Sequence, residues 1–351
     1  MTDLAEPSPG VVGPAPVLRA VGLTQHYPVR SRRRGHGQRA VVHAVDDVSV
    51  DLWPAQVTAV VGESGSGKST LARILSRLVV PTAGRMWLDG SEVALSARRG
   101  ARSYRRHVQL ILQDPFSSLN PIHSIRYQLT RPLRVHRIAP RDRTDEVVAS
   151  LLERVNLSPA SRYVDQLPHE LSGGQLQRVA IARCLAVNPR VLLADEPVSM
   201  LDVSIRLGVL NLLEELCQAE RLAVLYVTHD LASARYLATT ILVMYAGEVV
   251  ESGPAVDVVD HPTHPYTQLL LSATADPDRR EPVVLTTTGG APPSLIDPPS
   301  GCRFHPRCPH AMAVCSTTAP PTVEVAPGQS SACWLHVEGR GANGARSQEP
   351  S

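Results

Sequence analysis

No stretch of this 351-residue sequence approaches the roughly 20 consecutive apolar residues that cross a bilayer, so any membrane association has to come through another protein. The opening Met1-Thr2-Asp3-Leu4-Ala5-Glu6-Pro7 has neither a basic n-region nor an apolar h-region. That excludes a secretory signal peptide and leads to the expectation of a cytoplasmic protein. A strong charge of one sign is missing too: a formal net charge of +2 gives no global electrostatic case for binding nucleic acid. The local exception is Arg30, Arg32, Arg33, Arg34 and Arg39, read as a solvated loop, with lipid headgroups or an acidic partner as the alternative. No internal repeat and no sustained heptad run is found.

What is present suits a folded chain: 43% of residues are hydrophobic and 19% charged. The length fits one large domain plus a smaller one. Residues 1–16, rich in Pro, Gly and Ala, read as a loose arm. Strands are expected over Val17 to Tyr27, Val41 to Leu52 and Gln56 to Val61, and a helix over Ser69 to Leu78. Arg85 to Leu88 and Val108 to Leu112 read as further strands. From about 115 to 180 the apolar spacing becomes helical, as in a helical subdomain inserted into a strand-and-helix domain. Strand and helix then alternate through Val191 to Ala194, 203–218, Ala223 to Thr228, 231–238 and Ile241 to Tyr245. Apolar strands between helices predict an α/β fold with a largely parallel sheet covered on both faces. After about residue 275 both periodicities fade, and the polar tail 337–351 reads as disordered.

Gly62-Glu63-Ser64-Gly65-Ser66-Gly67-Lys68-Ser69, followed by Thr70, completes G-x-x-x-x-G-K-[ST] between a β-branched strand and a helix. Small residues let successive N–H groups face one concavity, and the helix start adds free amides and a dipole. Lys68 is expected to reach the β- and γ-phosphates of a nucleotide and Ser69 to hold Mg²⁺. Downstream, Val191-Leu192-Leu193-Ala194 ends in Asp195-Glu196. A carboxylate at Asp195 suits the Mg²⁺ shell, and Glu196 is placed to accept a proton from an attacking water.

Leu171-Ser172-Gly173-Gly174-Gln175 resembles the signature sequence of ATP-binding cassette proteins. The resemblance runs through most of residues 17 to 255 and implies a P-loop NTPase cassette: a RecA-like core sheet, an antiparallel β subdomain and an inserted helical subdomain. It also implies roles. Gln113 matches the glutamine that senses Mg²⁺, His229 the switch histidine at the γ-phosphate, and Tyr27 the platform for adenine. Ser199-Met200-Leu201-Asp202 resembles the loop that crosses between two ATPase subunits, with Met200 in place of the usual Ala. The hydroxyl, amides and dipole at Ser172, Gly173, Gly174 and Gln175 make a second anion-binding edge. In the family that edge covers the γ-phosphate of the other subunit's ATP.

Three stretches are similar to the ATPases of oligopeptide and dipeptide importers, whose relatives also serve nickel uptake. They are Arg30 to Val42, Leu112-Gln113-Asp114-Pro115-Phe116-Ser117-Ser118-Leu119-Asn120-Pro121, and His261-Pro262-Thr263-His264-Pro265-Tyr266-Thr267. The resemblance implies a second ATPase, more readily a distinct paralogue, two permease subunits, and an extracytoplasmic binding protein. Residues 116–121 are the expected permease contact. Nickel or another small solute is the alternative cargo. A soluble cassette ATPase acting on DNA or the ribosome is disfavoured by the single cassette and the missing heptads, and a low-turnover regulator by Glu196 and His229.

The organisation expected is therefore an ATPase domain over 17–274 and a small extension over 275–336. Of six cysteines, Cys184 and Cys217 read as small buried apolar residues, while Cys302, Cys308, Cys315 and Cys333 cluster in the extension with C-x5-C-x6-C-x17-C spacing. In a reducing compartment that argues for metal ligation over disulfides. The spacing is neither a zinc-finger nor a bacterial ferredoxin pattern. The family resemblance favours a structural [4Fe–4S] cluster, with Zn²⁺ or unliganded thiols as the other readings, and His305, His310 and His336 as spare ligands.

Overall fold

The computed structural model describes residues 15–29, 40–95, 100–273 and 293–337. The Arg-rich loop, the tail beyond 337 and nearly all of the N-terminal arm lie outside the described residues. β1 (Leu18–Val29) and β2 (Ala40–Leu52) pair antiparallel, with Tyr27 opposite Val42. The chain then enters β3 (Gln56–Val61), of which only Gln56 is exposed, and turns through residues 62–67 into α1 (Lys68–Leu75). β4 (Ala83–Leu88) returns to β1 and carries β5 (Ser91–Glu92), completing a four-stranded antiparallel sheet in the order β2-β1-β4-β5.

α2 (Ala101–His107) leads into β6 (Val108–Ile111). Helices follow: α3 (Pro115–Ser118), α4 (Ile125–His136), α5 (Thr144–Arg154) and α6 (Gly173–Leu185). Their apolar faces meet through Leu129, Leu133, Val148, Leu152 and Leu176. The α/β alternation resumes with β7 (Val191–Asp195), α7 (Val203–Ala219), β8 (Ala223–Thr228), α8 (Leu231–Leu237) and β9 (Thr240–Tyr245). β10 (Glu248–Pro254), α9 (Ala255–Asp260) and α10 (Pro265–Ala273) come next, and β11 (Val323–Ala326) and β12 (Gln329–Ser331) form the last hairpin.

The second sheet has eight strands in the order β11-β12-β10-β9-β3-β8-β7-β6. The run β9-β3-β8-β7-β6 is parallel. Every residue of β7 and β8 is buried, as strands covered on both faces must be. Alternation then sorts them. Leu192, Ala194, Val224 and Tyr226 face the core shared with the helical region; Leu193, Leu225 and Val227 face the core shared with α1 and the antiparallel sheet. The fold is the expected RecA-like cassette. One feature was not anticipated: β11 and β12 extend the core sheet through pairing of β12 with β10. No helix among the described residues is long and apolar enough to cross a membrane.

Candidate functional site

Four parallel strands deliver the expected residues from their carboxyl ends, where open α/β sheets place ligands. β3 ends in the glycine-rich loop, β6 leads to Gln113, β7 ends at Asp195 with Glu196 next, and β8 precedes His229. Two glycines are required for close approach: a Cβ on Gly62 would sit 2.1 Å from the Met244 carbonyl oxygen, and one on Gly67 would sit 2.2 Å from that of Ala44. Both also take positive φ, at 153° and 106°.

Lys68 is almost fully buried, and its Nζ donates to the carbonyls of Gly62 and Glu63, each at 2.8 Å. Burial lowers its pKa, against the charges of Glu196, Asp195 and Glu63 that favour the ammonium. The ammonium is thus curled against its own loop, within reach of whatever the loop holds. Ser69 Oγ donates to Asp195 Oδ1 at 2.8 Å, joining the loop to β7 at a point where two oxygen ligands face one position. Burial raises the Asp195 pKa, opposed chiefly by that hydrogen bond. A hard cation at this pair would find oxygen donors of the kind Mg²⁺ takes.

Glu196 adopts a left-handed backbone, φ 47°, held by its N–H to the Val227 carbonyl at 2.9 Å and by Ser199, whose N–H and hydroxyl both donate to the Glu196 carbonyl. A non-glycine residue costs about 1–2 kcal/mol in that conformation. Its carboxylate accepts from Gln113 Nε2 at 2.9 Å and meets His229 Nδ1 at 3.4 Å. The His229 ring is 60% exposed and the Glu196 side chain 17%. One carboxylate therefore stands at the mouth between an amide and an imidazole, free to face a water.

These groups share a cavity of about 770 Å³. Glu63, Ser64, Gly65, Gly67, Lys68, Ser69 and Thr70 form its floor, Gln113, Glu196 and His229 one rim, and Tyr27 with Val42 and Ala44 the other end. Ser66 and Asp195 do not line it, but Asp195 is joined to the lining residue Ser69 by its hydrogen bond. The volume suits a nucleotide. Ser172, Gly173, Gly174, Gln175 and Asp202 do not line this cavity. Ser172 instead caps α6: its Oγ accepts from Gln175 N at 3.3 Å while Gln175 Oε1 accepts from Ser172 N at 2.9 Å. Gly174 packs so tightly on α7 that a Cβ would lie 2.5 Å from Ile205 Cγ2. Asp202 precedes α7, is exposed, and makes no capping hydrogen bond with its side chain.

Comparison with known proteins accords with this geometry. A probable peptide ABC transporter ATP-binding protein, y4tS, of Sinorhizobium fredii is 40% identical over 329 residues, covering 93% of this chain and 92% of its own. This chain belongs to the ATP-binding subunits of ABC transporters. Residues 45–199 of the ABC ATPase match the ABC transporter family, and 250–315 match the oligopeptide/dipeptide transporter C-terminal region. The di/tripeptide transport ATP-binding protein DppF of Pseudomonas aeruginosa is 43% identical over 307 residues, 87% of this chain and 93% of that one. Among solved structures, the dimeric ATP-binding cassette MJ0796 bound to ADP and Pi aligns with a TM-score of 0.58 at 27% identity, over 68% of this chain and 98% of that one. The cbiO1 protein of Clostridium perfringens, part of the cbiONQ transporter, aligns with a TM-score of 0.60 at 26% identity, over 70% of this chain and 92% of its own. The ABC ATPase hydrolyses ATP and is closely related to the ATPases of oligopeptide and dipeptide import.

The cysteine expectation is corrected. Cys302, Cys308, Cys315 and Cys333 do border one cavity, but its volume is about 10 Å³, room for roughly one water. A cube of four irons and four sulfides does not fit. Nor do the sulfurs form a single-ion site, which would set tetrahedral thiolates about 3.8 Å apart for Zn–S bonds near 2.3 Å. The one trio of His, Cys, Asp or Glu ligand atoms within 4.8 Å among the described residues is His26, His43 and Asp46. All six cysteines are free thiols. Burial pushes Cys302 up to about 12 and Cys333 up to about 11, and raises Cys308 as well, so these are protonated groups in a packed apolar pocket. These four cysteines therefore do not form the expected iron–sulfur site. Two of the three spare histidines are otherwise engaged, His305 Nδ1 with the Cys302 carbonyl and His336 Nε2 with that of Thr263, both at 2.9 Å, and His310 borders the same small cavity. In the His26–His43–Asp46 trio, the carboxylate is already ion-paired with Arg303. Burial alone would raise Asp46, but hydrogen bonds from Arg303, His26 and His43 hold it down to about 2.

Sequence reading missed several residues at the site. Tyr266 accepts from the Glu63 N–H at 2.8 Å through its hydroxyl, and Arg307 pairs with the Glu63 carboxylate. Leu270 and Leu295 line the cavity. All four lie far from the loop in sequence; Tyr266 falls in the stretch 261–267 already singled out, but nothing local ties any of them to this site.

Proposed function

We propose that this ABC ATPase works as half of a pair on the cytoplasmic face of the membrane, driving import of oligopeptides or dipeptides through two permease subunits. A distinct paralogue as the second ATPase and an extracytoplasmic binding protein complete the assembly. One observation carries the pairing. The chain has two edges suited to polyphosphate, the glycine-rich loop and the Ser172 end of α6, and the second does not line the cavity of the first. Two copies or paralogues facing each other bring each Ser172 edge to the other's nucleotide. The MJ0796 cassette, described as dimeric with ADP and Pi, supports that reading. The peptide cargo rests on the names of the relatives and on the match to the oligopeptide/dipeptide C-terminal region.

In this reading Tyr27 stacks on adenine, the N–H groups of residues 62–70 wrap the phosphates, and Lys68 contacts the β- and γ-phosphates. Ser69, Asp195 and Gln113 hold Mg²⁺, which when bound neutralises phosphate charge. Glu196 accepts the proton of the attacking water, and His229 touches the γ-phosphate. Asp202 belongs to the loop that meets the other subunit. Replacing Lys68 with Ala weakens ATP binding roughly a hundredfold, since it removes charged hydrogen bonds to two phosphates; titration with a fluorescent ATP analogue measures it.

The permease contact is proposed at residues 116–121 and their neighbour Ile122. Phe116 is 55% exposed and Ile122 74%. Asp114 caps this short helix by accepting from Phe116 N at 2.9 Å, so the apolar side chains are presented on fixed backbone. Ile122→Asp weakens co-purification with the permeases by roughly thirtyfold, the scale of an interface hot spot, and leaves ATP binding by the isolated chain unchanged. The cargo is tested in cells lacking the gene for this chain. Uptake of labelled di- and oligopeptides is lost and restored by complementation. Intact peptide uptake with lost nickel uptake would move the assignment to a nickel importer.

A further inference from the structure

We propose that the C-terminal segment 293–307 is a working part of the nucleotide site: Leu295 closes its base end and Arg307 fixes its phosphate loop. This deepens the ATP reading above and rests on it.

At the base end, Leu295 joins Tyr27, Val42 and Leu270 in the wall of the 770 Å³ cavity. Its position is set by backbone, not by side-chain packing alone. The His43 N–H donates to the Leu295 carbonyl at 2.8 Å, and Ile296 forms an antiparallel bridge with Val42. Val42 in turn stands opposite Tyr27 in the β1–β2 register. Tyr27, Val42 and Leu295, joined through that backbone pairing, thus frame one end with an aromatic ring and aliphatic side chains, the composition that buries a planar base.

At the phosphate end, Arg307 Nη1 and Nη2 each donate to a different oxygen of Glu63 at 2.9 Å, a bidentate fork between largely buried side chains, 13% and 26% exposed. The guanidinium carbon also lies 5.8 Å from the centre of the Tyr245 ring. Glu63 is held at its backbone as well, through Tyr266. Two consequences follow. An unpaired Glu63 carboxylate in the phosphate loop would repel a polyphosphate, and Arg307 cancels that charge. A separate cavity of about 230 Å³ lies between Ser64–Ser66 and Pro293–Leu295, so the loop has room to shift unless Glu63 is tethered. The tether pre-organises the loop's N–H groups, which lowers the ordering cost of binding.

The two ends are separable with a ligand that has no base. Binding of Mg·ATP and of Mg·tripolyphosphate is measured by calorimetry on the full chain. Arg307→Ala weakens both ligands by roughly five- to fiftyfold. Leu295→Ala weakens Mg·ATP on the same scale and weakens Mg·tripolyphosphate less, since its contact to the loop is only the wall of the smaller cavity. Because Arg307→Ala could disturb folding, the double variant Glu63→Gln/Arg307→Ala is the companion. With the repelling charge gone but the tether still absent, it binds tripolyphosphate at least roughly threefold more tightly than Arg307→Ala does, a coupling between neighbours that a misfolded protein does not show. Unchanged ATP affinity in both single variants overturns the inference, as does no recovery in the double variant. Lys68→Ala keeps the outcomes distinct: if it retains both ligands, the ATP reading itself fails; if it loses them while the C-terminal variants bind normally, the C-terminal role alone fails.

Discussion

Glu196→Gln binds ATP as the unmodified chain does and turns it over about 10²–10⁴ times more slowly, the contribution of a positioned general base. The substitution isolates one property. Gln is the same size, and its amide oxygen can still accept the hydrogen bond that Gln113 Nε2 makes at 2.9 Å. The left-handed backbone at φ 47° is equally strained for either side chain, so stability is not the variable. The Val227 and Ser199 contacts that hold this residue are made by its backbone and persist. What the amide cannot do is take a proton from water. ATP then accumulates uncleaved, and the pair stays closed. Steady-state phosphate release gives the rate, and size-exclusion chromatography with Mg·ATP gives the closed species. Turnover near the normal rate would remove Glu196 from the role of base.

The fold was legible where the physics is local. β7 at Val191–Asp195 and β8 at Ala223–Thr228 carry short, nearly continuous apolar runs between turns, and a strand buried on both faces leaves that trace. The glycine-rich loop is equally local, because its shape depends on Gly62 and Gly67 meeting backbone a Cβ would strike. β11 and β12 left no such trace. β12 is three residues long, and its buried positions, Gln329 and Ser331, are polar. Gln329 is tolerated there because its Nε2 donates to Glu251 Oε1 at 2.9 Å and to the His261 carbonyl at 3.0 Å. Period-two hydrophobicity cannot reveal a strand whose inward face is amide and hydroxyl.

The site divides in the same way. The glycine-rich loop and Asp195-Glu196 were read from the strands they follow, while Gln113 and His229 came from the family resemblance. Tyr266, Leu295 and Arg307 reach it only through the tertiary course of the chain and could be found only in three dimensions. The cysteines fail for the opposite reason. Four thiols in a short segment look like a ligand set, but spacing carries no information about Sγ separation, and these sulfurs close on a space of about 10 Å³. What orders that segment is more ordinary. Phe304 is buried at its centre against Tyr245 and Tyr266, and Arg303 is paired with Asp46 and, at 3.1 Å, with Glu248.

Ser172→Asp abolishes most cooperative turnover while leaving nucleotide binding by the isolated chain intact. The substitution is chosen so that helix stability does not change: Asp and Ser rank together as helix caps, and a carboxylate can accept from Gln175 N as the hydroxyl does at 3.3 Å. The reciprocal bond from Ser172 N to Gln175 is a backbone contact and is kept. Within one chain, moreover, Ser172 does not line the nucleotide cavity, so the new charge has nothing to repel. The charge acts only when a facing subunit brings a polyphosphate against the start of α6. One added charge at about 4 Å from a phosphate costs about 1–4 kcal/mol at effective dielectrics of 80 to 20, which lowers closure and turnover by roughly fivefold to a thousandfold. Ser172→Thr keeps the cap without the charge and retains near-normal turnover. In a Glu196→Gln background, the Asp variant no longer forms the ATP-bound pair on size-exclusion chromatography. Normal turnover of Ser172→Asp would mean that this edge never meets a nucleotide, and the chain would then hydrolyse ATP through its own cavity alone.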